Sequence, residues 1–433
     1  MTRIPLALIL ILSFGAFAKA QTSSVTLTAE VRIGQGNFSE RLPLEIRDPE
    51  IYSPKSARFS ANGKKLYINS LEGGKTVVYS WPQLKKLKSI SHRFTAKNSS
   101  LFFGETTVFG YPYLSVPPSG DQNQFMGKPV ESELSADGKY LWVPYYRRDW
   151  DLSAQSPSAV AIIDTETDQI VRVMPTGPIP KYVVASPDGR YMAIIHWGDN
   201  TVALIDVSSG DPARYQYVSH MTVENQLDQQ PLTGTDRDDT CGFCLRGSVF
   251  SSDSQYLIVG RMGKGGIAGF HIPSRRYLGS IMNVASTPRH LVLGPDGDTL
   301  YVSSNWAGAV SKTSLQKVLA SLESAQGRRI PGPSWKSASI GKGARTLALS
   351  PDGRLLFVAM NDSAEVVTLD SQSLTVLNRR PVDPYSVGLA VSPDGQAVVV
   401  TSQGHSGHGG NSVNIFSVHV NETSPAISLQ GLN

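Results

Sequence analysis

The sequence predicts an all-β fold, a seven-bladed β-propeller of four-stranded antiparallel blades. A turn motif of the Ser-Pro-Asp-Gly type recurs seven times, each time between two runs of apolar and β-branched residues. The copies begin at Ser60, Ser135, Ser186, Ser251, Gly294, Ser350 and Ser392. The closest copies are 43 residues (Asp253 to Asp296) and 42 residues (Asp352 to Asp394) apart. That period fits one unit of four short strands.

The N-terminal residues 1–20 are predicted to be a secretory signal peptide. Arg3 precedes an apolar run over 4–17, and Ala18-Lys19-Ala20 is a small-x-small cleavage site. An uncleaved anchor is the alternative, but the run is short for a membrane span. Residues 21–433 are then expected to form one exported propeller domain, secreted or periplasmic, with no integral membrane span.

The segment 24–33 alternates apolar and polar residues and precedes the first blade. The seventh motif supplies three evident strands, near 387–391, 397–401 and 412–418. We therefore expect the N-terminal segment to complete blade seven and close the ring. Residues 42–46 are a competing candidate.

The sixth copy illustrates one blade. Strands are predicted over 346–349, 355–360, 365–369 and 374–378, and Pro351-Asp352-Gly353 forms the first hairpin. A linear β-solenoid is the alternative, but its repeats would be shorter and its ends more exposed. Radial closure leaves only short, protected edges.

The predicted strand order assigns the loops to two rims. The motif hairpins lie on one rim, and we call the opposite rim, with the inter-blade links, the top. Four long segments are expected on the top: 97–130, 147–157, 219–244 and 314–341. The last is expected to extend the link from blade five to blade six and to begin with a helix over 314–325. Long loops on a rigid scaffold often carry function.

Basic residues recur seven positions before the motif Asp or Asn. They are Lys55, Lys181, Arg246, Arg289 and Arg345, whereas Val130 and Val387 occupy the other two places. Each would stand where an innermost strand begins, so a cationic ring at the channel mouth could attract anions. The alternative is that these side chains bind carbonyls and carboxylates of neighbouring blades. Lys181, Arg246, Arg289 and Arg345 are the candidate ligand contacts.

Aromatic and polar residues follow the second strands of several blades. The further candidate ligand contacts are Tyr146, Arg147, His196, Trp197, Asn305 and Trp306. Aromatic planes beside cations suit a sugar, a peptide or an aromatic anion. The alternative is that the tryptophans pack between blades.

His405 and His408 lie in a Gly-rich loop and could share a metal ion. A catalytic site would need a third ligand, which His196 or His290 could supply if the fold brings them close. The alternative is a flexible loop with spare histidines, and no cofactor is expected.

Cys241 and Cys244 are the only cysteines. In an exported protein they are expected to form a local disulfide that pins the 219–244 loop. A redox-active pair and a metal site remain alternatives. A c-type haem is excluded because Leu245, not His, follows the second Cys.

The repeat resembles the YVTN or YncE-like family of exported seven-bladed propellers over residues 56–418. The resemblance is carried by the seven motifs and by the stretches 180–189, 288–297 and 344–353. It implies the propeller fold and export. The relatives it suggests are binding proteins, surface proteins and, more distantly, lactonases, and a basic residue at the strand start is common among them.

Composition and motifs narrow the function. With 40 basic and 36 acidic residues the chain is close to balanced, which argues against a nucleic-acid binder. We expect the top face to bind a partner protein, a glycan or a small anion. The alternative is a lactonase-like hydrolase in which channel-mouth cations stabilise an oxyanion. The acidic candidates for acid–base chemistry are Glu131, Glu133, Asp149, Asp151 and Asp199.

Overall fold

The computed structural model describes residues 24–36, 43–105, 111, 117, 119–228, 234–405 and 408–421, without the side chains of His405 and His408. The predicted signal peptide lies outside these residues. Two strands precede the first blade, β1 Ser24–Gly34 and β2 Leu44–Arg47.

The first three blades follow in chain order. Blade 1 comprises β3 Pro54–Phe59, β4 Lys65–Ser70, β5 Lys75–Ser80 and β6 Lys86–Ser91. After β7 Arg93–Phe94 and a 3-10 helix Ala96–Phe102, blade 2 comprises β8 Phe125–Pro129, β9 Glu133–Leu134, β10 Tyr140–Arg148, β11 Ser158–Asp164 and β12 Gln169–Thr176. Blade 3 comprises β13 Pro180–Ala185, β14 Tyr191–His196, β15 Thr201–Asp206, a 3-10 helix Pro212–Arg214 and β16 Gln216–Thr222.

The remaining four blades complete the ring. Blade 4 comprises β17 Leu245–Phe250, β18 Tyr256–Arg261, β19 Ile267–His271 and β20 Arg276–Ile281. Blade 5 begins with β21 Pro288–Leu293, β22 Thr299–Ser304 and β23 Ala309–Ser314, continues through helix α1 Leu315–Ala325 and β24 Arg329–Ile330, and ends with β25 Lys336–Ser339. Blade 6 comprises β26 Ala344–Leu349, β27 Leu355–Met360, β28 Glu365–Asp370 and β29 Val376–Pro381. Blade 7 contains β30 Ser386–Val391, β31 Ala397–His405 and β32 His408–Asn421.

The predicted seven-bladed propeller of antiparallel blades is confirmed. Within each blade the strands pair side by side, from the channel to the periphery. In blade 2 the innermost place is shared by β8 and β9, which both pair with β10, and the short strand β24 pairs with β20 of blade 4. The innermost strands of neighbouring blades are in contact, including β3 of blade 1 with β30 of blade 7. Large apolar clusters fill the spaces between neighbouring blades. The channel is therefore surrounded by innermost strands on all sides.

Each motif hairpin is held by its own side chains. In the sixth copy Ser350 Oγ donates to Asp352 Oδ1 (2.5 Å) and accepts from the Leu355 amide (2.9 Å). Gly353 then adopts a φ of 71°, a left-handed conformation that glycine adopts without a Cβ clash. In the fourth copy Ser254 takes that place at a φ of 60°, at a cost of about 1 kcal/mol. The motif therefore recurs because it closes a hairpin locally.

Strand β1 closes the ring as predicted. It pairs antiparallel with β32 from Ser24↔Asn421 to Gly34↔Ser412 and forms the fourth strand of blade 7. Its Val25 and Leu27 side chains are buried in the apolar cluster between blades 6 and 7. In the competing segment, residue 42 lies outside the described residues, and β2 adds to β1 in parallel as an extra outer strand.

The expected position of the 314–341 insertion is wrong. Strand β25 pairs with β23 and is the fourth strand of blade 5, so the insertion precedes that strand and does not follow it. Helix α1 starts on the rim of the motif hairpins, where Asp298 Oδ1 accepts from the Gln316 amide (2.8 Å). The helix then packs on β20 of blade 4, with Leu322 against Gly269. The short polar strand β25 lacks the alternation by which a strand is recognised, and this explains the error.

Among the described residues, the structure contains no helix that combines the length and the apolar character needed to cross a membrane.

Ring closure gives a first prediction. Replacing the buried Leu27 by Ala should lower the free energy of unfolding by about 2–5 kcal/mol, whereas Thr28→Ala, on the exposed face of the same strand, should change it by less than about 0.5 kcal/mol.

Deletion of residues 21–46 should produce oligomers or unfolded protein because blade 7 then exposes a strand edge. Thermal unfolding and size-exclusion chromatography measure both effects. A truncated monomer that melts cooperatively at the original temperature would contradict this role of β1.

Candidate functional site

A cavity of about 720 Å³ occupies the top mouth of the central channel. The five basic residues of the predicted ring all line it: Lys55, Lys181, Arg246, Arg289 and Arg345. Each is the second residue of an innermost strand. Because these strands converge on the channel, positions that are distant in sequence meet in one place. We call this group the cation ring.

Two members of the cation ring are neutralised by carboxylates. Arg246 Nη2 lies 2.9 Å from Glu131 Oε1. Lys181 Nζ forms an ion pair with Asp238, whose other oxygen accepts from the Tyr146 hydroxyl (2.8 Å). For Arg246 and Lys181, neighbouring blades and loops therefore supply the counter-charge, as in the alternative interpretation of the sequence.

The other three members have neutral partners. Lys55 Nζ donates to Gln403 Oε1 (3.0 Å), Arg345 Nε donates to the Val387 carbonyl (3.2 Å), and Arg289 Nη1 lies 3.1 Å from Met262 Sδ. None of the three forms an ion pair with any carboxylate in the described part of the chain. The site therefore holds three basic side chains without an ion-pair partner among the described residues.

Glu133, the other carboxylate considered as a counter-charge, does not serve the cation ring. It pairs with Arg58 at 2.8 Å, and Arg58 also donates to the Ser132 carbonyl (2.8 Å). Both side chains line a separate cavity of about 530 Å³ in the channel beneath the mouth. Glu133 consequently does not neutralise the positive charge of the cation ring.

Burial and electrostatic repulsion disfavour the charged forms of basic side chains in the cation ring. Burial, with repulsion from Arg345 and Arg246, lowers the pKa of Lys55 well below its usual value. Burial likewise lowers the pKa of Arg289 and Arg345, and the neighbouring arginines add to the effect. Burial lowers the pKa of Lys181 to about 7, although Asp238 opposes the shift. An anion in the mouth would offset these costs.

The aromatic side chains of the mouth form cation–π contacts with basic side chains of the protein. Lys181 Nζ lies 3.8 Å from the ring centroid of Trp197 and 5.0 Å from that of Tyr146, and Arg147 Cζ lies 4.2 Å from the Tyr146 centroid. Arg147 in turn pairs with Asp236 at 3.0 Å. The aromatic faces of Tyr146 and Trp197, which the sequence suggested for stacking a sugar, are thus in contact with the protein's own cations.

Three predicted ligand contacts lie away from the mouth cavity. His196 is fully buried inside blade 3. Asn305 donates to Asn361 Oδ1 (2.9 Å), which ties blade 5 to blade 6. Trp306 is 68% exposed on the top rim with Lys342 4.9 Å from its centroid, so it neither packs between blades nor lines the cavity.

The predicted histidine metal site stays a prediction, because the side chains of His405 and His408 lie outside the described residues. The two proposed third ligands are separately engaged, because His196 is enclosed in blade 3 and His290 accepts from the Leu347 amide (3.2 Å) in the lower channel.

A different group, His196, Asp199 and His220, has ligand atoms within 4.8 Å of one another. The Thr201 hydroxyl lies among them, at 2.8, 2.6 and 2.7 Å respectively. The Gly177 amide donates to His196 Nε2 (3.1 Å), so Nδ1 carries the proton of the neutral ring. A metal ion could bind His196 Nδ1 only if this nitrogen first lost its proton. The donor set therefore fits a hydrogen-bonded network better than a metal centre.

This network anchors the insertions. Tyr111, from the segment 97–130, donates to Asp199 and lies 2.8 Å from His220 Nε2. Gln226, from the segment 219–244, donates to the same carboxylate (3.2 Å). Burial raises the pKa of Asp199 to about 6, and hydrogen bonds oppose the shift. Both insertions are thereby attached to blade 3.

The remaining acidic candidates have structural contacts. Asp149 accepts from the Met126 amide (2.7 Å), and Asp151 accepts from the Gln155 and Ser156 amides (both 2.9 Å). These contacts stabilise the loops around blade 2.

Sequence reasoning missed residues that decide which members of the cation ring have a carboxylate partner and which have a neutral one. Asp238, which pairs with Lys181, comes from an insertion, and Gln403, which accepts from Lys55, comes from blade 7. The cluster of three aspartates within 236–239 was a usable signal because it is the densest group of acidic residues in the long 219–244 loop. No comparable signal marks Gln403.

Comparison with known proteins adds the fold alone. No protein-family model matches the sequence, and no curated protein is similar to it. Among solved structures, the chain is similar to hydrazine synthase from Kuenenia stuttgartiensis, with a TM-score of 0.58 and 16% identity over 90% of this chain and 99% of that chain. Since unrelated functions share this architecture, the likeness supports a propeller and says nothing about activity.

The predicted disulfide is present between Cys241 and Cys244. Between them, the Phe243 amide donates to Asn200 Oδ1 (2.7 Å), and the Phe243 side chain is buried in the core between blades 3 and 4. The bridge thus secures the end of the loop that carries Asp236 and Asp238.

Replacing both cysteines by Ser should loosen this loop and leave the propeller folded. Closing so short a loop stabilises the protein by only about 2 kcal/mol or less. Hydrogen exchange should accelerate within residues 219–244, while the melting transition stays cooperative. Thiol titration of the denatured, unreduced protein should find no free thiol. Two free thiols in protein from an oxidising compartment would contradict the disulfide.

Proposed function

We propose that the top mouth of the channel binds a small anion. The observation that carries this proposal is that three of the five ring cations have no carboxylate partner among the described residues. Buried charges are normally paired, and leaving them unpaired is costly. An anionic ligand would supply the missing counter-charge.

The geometry favours dicarboxylates, sulfate or phosphate. Arg289 and Arg345 carry planar guanidinium groups, which suit carboxylate and tetrahedral oxyanions. A cavity of about 720 Å³ is of the size that takes a small molecule. A glycan is less well supported, because the faces of Trp197 and Tyr146 already contact Lys181. An acidic side chain of a partner protein could use the same cations.

A lactonase-like hydrolase is the second candidate, since guanidinium groups can stabilise a developing oxyanion. Such an enzyme also needs a general base. Glu131 and Asp238, the carboxylates that touch the cation ring, are held by Arg246 and Lys181. Binding is therefore the better-supported function.

Export remains part of the proposal. The apolar N-terminal segment with its cleavage site and the Cys241–Cys244 disulfide both suit an oxidising compartment outside the cytoplasm. Membership of the YVTN or YncE-like family is likewise proposed on the repeated motif and the seven blades.

The anion site is tested by the double variant Arg289→Ala with Arg345→Ala. Isothermal calorimetry with sulfate, phosphate and malonate should find a loss of at least about tenfold in affinity for each arginine, since a hydrogen bond to a charged group contributes about 1.5–3 kcal/mol. Higher salt should weaken binding to the original protein. The melting temperature should stay the same or rise, because repulsion within the ring is relieved.

The control is Arg275→Ala with Arg380→Ala, which removes the same formal charge from two exposed positions and should leave anion affinity nearly unchanged. If the ring variant instead melts far lower and binds anions as before, the cation ring is structural and the proposal fails.

Anion binding should weaken as pH rises from 6 to 9. Deprotonation of Lys181, with a pKa of about 7, removes a positive charge from a site that also contains Asp238, Arg246 and Arg289. Sulfate is the suitable probe because its own charge is constant over this range. Calorimetry in two buffers of different ionisation enthalpy should detect proton uptake on binding at pH 7 to 8. An affinity that is constant from pH 6 to 9 would contradict this linkage.

A further inference from the structure

The two lysines of the cation ring differ in their surroundings. Lys181 pairs with Asp238 and lies over the face of Trp197. Lys55 has one hydrogen-bond partner among the described residues, the amide oxygen of Gln403 at 3.0 Å. An ammonium group gains little from a single neutral acceptor in a buried place. The environment of Lys55 therefore supports its charge much less than that of Lys181.

The groups that face Lys55 are mostly cations. Arg345, Arg246 and Arg289 repel its positive charge, and Glu131, which is bonded to Arg246, is the carboxylate that opposes them. Together with burial, this repulsion lowers the pKa of Lys55 well below its usual value. A desolvated amine beside other cations is the arrangement that makes a lysine nucleophilic at neutral pH.

The position of Lys55 is fixed and open to the cavity. Its backbone belongs to β3, and its carbonyl accepts from Thr401 Oγ1 of blade 7 (3.2 Å) across the closing seam of the ring. Its side chain is partly exposed and lines the mouth together with Gln403, Arg289 and Arg345. A neutral amine that donates one N–H to Gln403 keeps its lone pair available.

We propose that Lys55 is a nucleophilic amine that captures the carbonyl group of an oxo carboxylate as a Schiff base, while Arg289 and Arg345 hold the carboxylate. This inference rests on the proposed anion site and names a ligand class for it, 2-oxo acids and related aldehydo acids. The arginines would orient the substrate through its charge, and the amine would act on the adjacent carbon.

The step is balanced without any further reactant. The Nζ lone pair forms a bond to the carbonyl carbon, and the π electrons of the carbonyl pass to its oxygen, which takes a proton. One N–H proton of the carbinolamine then passes to the hydroxyl group, which leaves as water, and the electron pair freed on nitrogen forms the C=N bond of an iminium ion. In sum, a neutral amine, a carbonyl and one proton from solvent give an iminium and water, and the reaction is reversible.

The test uses pyruvate as the probe and cyanoborohydride to reduce the iminium in the full-length protein. Intact mass and peptide mapping should show one reduced pyruvyl group, located on Lys55. Lys55→Arg keeps the positive charge but removes the nucleophile, so its adduct should be lost. The matched variant Lys312→Arg should keep the adduct, because Lys312 lies on the rim of the motif hairpins, away from the mouth, and donates to the Ser371 and Gln372 carbonyls. Lactate, which has the carboxylate but no carbonyl, should reduce adduct formation by competition and form none itself.

An adduct spread over surface lysines, or one that persists in Lys55→Arg, would overturn the inference. Calorimetry with lactate and sulfate separates this inference from the proposed function. If those anions bind and pyruvate forms no adduct, the reactive lysine is wrong and the anion site stands. If neither anion binds, both proposals fail.

Discussion

The antiparallel pairing of β1 with β32 is the interaction on which the rest of the structure depends. It joins the N-terminal segment to the last blade and makes the ring continuous. The pairing joins segments from opposite ends of the described chain, so the entropic cost of closing a very long loop falls on this contact. Once it forms, no wide sheet edge remains between blades 7 and 1, and the innermost strands have fixed places around the channel.

This closure is what creates the candidate site. Five innermost strands have a basic second residue, and all five of these side chains line the channel mouth. A rigid ring cannot separate them, so their repulsion is built into the fold. Glu131 and Asp238 neutralise two of them, while Lys55, Arg289 and Arg345 have neutral partners. A group of charges that destabilises the empty protein is well suited to bind an anion, because the ligand replaces the missing counter-charge.

The long insertions contribute to the site by being tied to blade 3. The buried network around Thr201 attaches segment 97–130 through Tyr111 and segment 219–244 through Gln226. The disulfide secures the end of the second segment. The loop is consequently held at both sides of Asp236 and Asp238, which pair with Arg147 and Lys181. The charge balance of the mouth thus depends on loops that are themselves held in place by buried polar contacts.

The sequence by itself determined what is local and repeated in this protein. The Ser-Pro-Asp-Gly hairpins are closed by bonds within six residues, the alternation of residues 24–33 fits an edge strand, and a constant offset from the motif locates the basic positions. Only the tertiary structure decided which of those cations are paired, that His196 lies inside a blade, that Lys181 covers the aromatic faces, and that α1 belongs to the opposite rim. The physical reason is that a hairpin depends on neighbours in the chain, whereas the charge state and accessibility of a side chain depend on groups that only ring closure brings beside it.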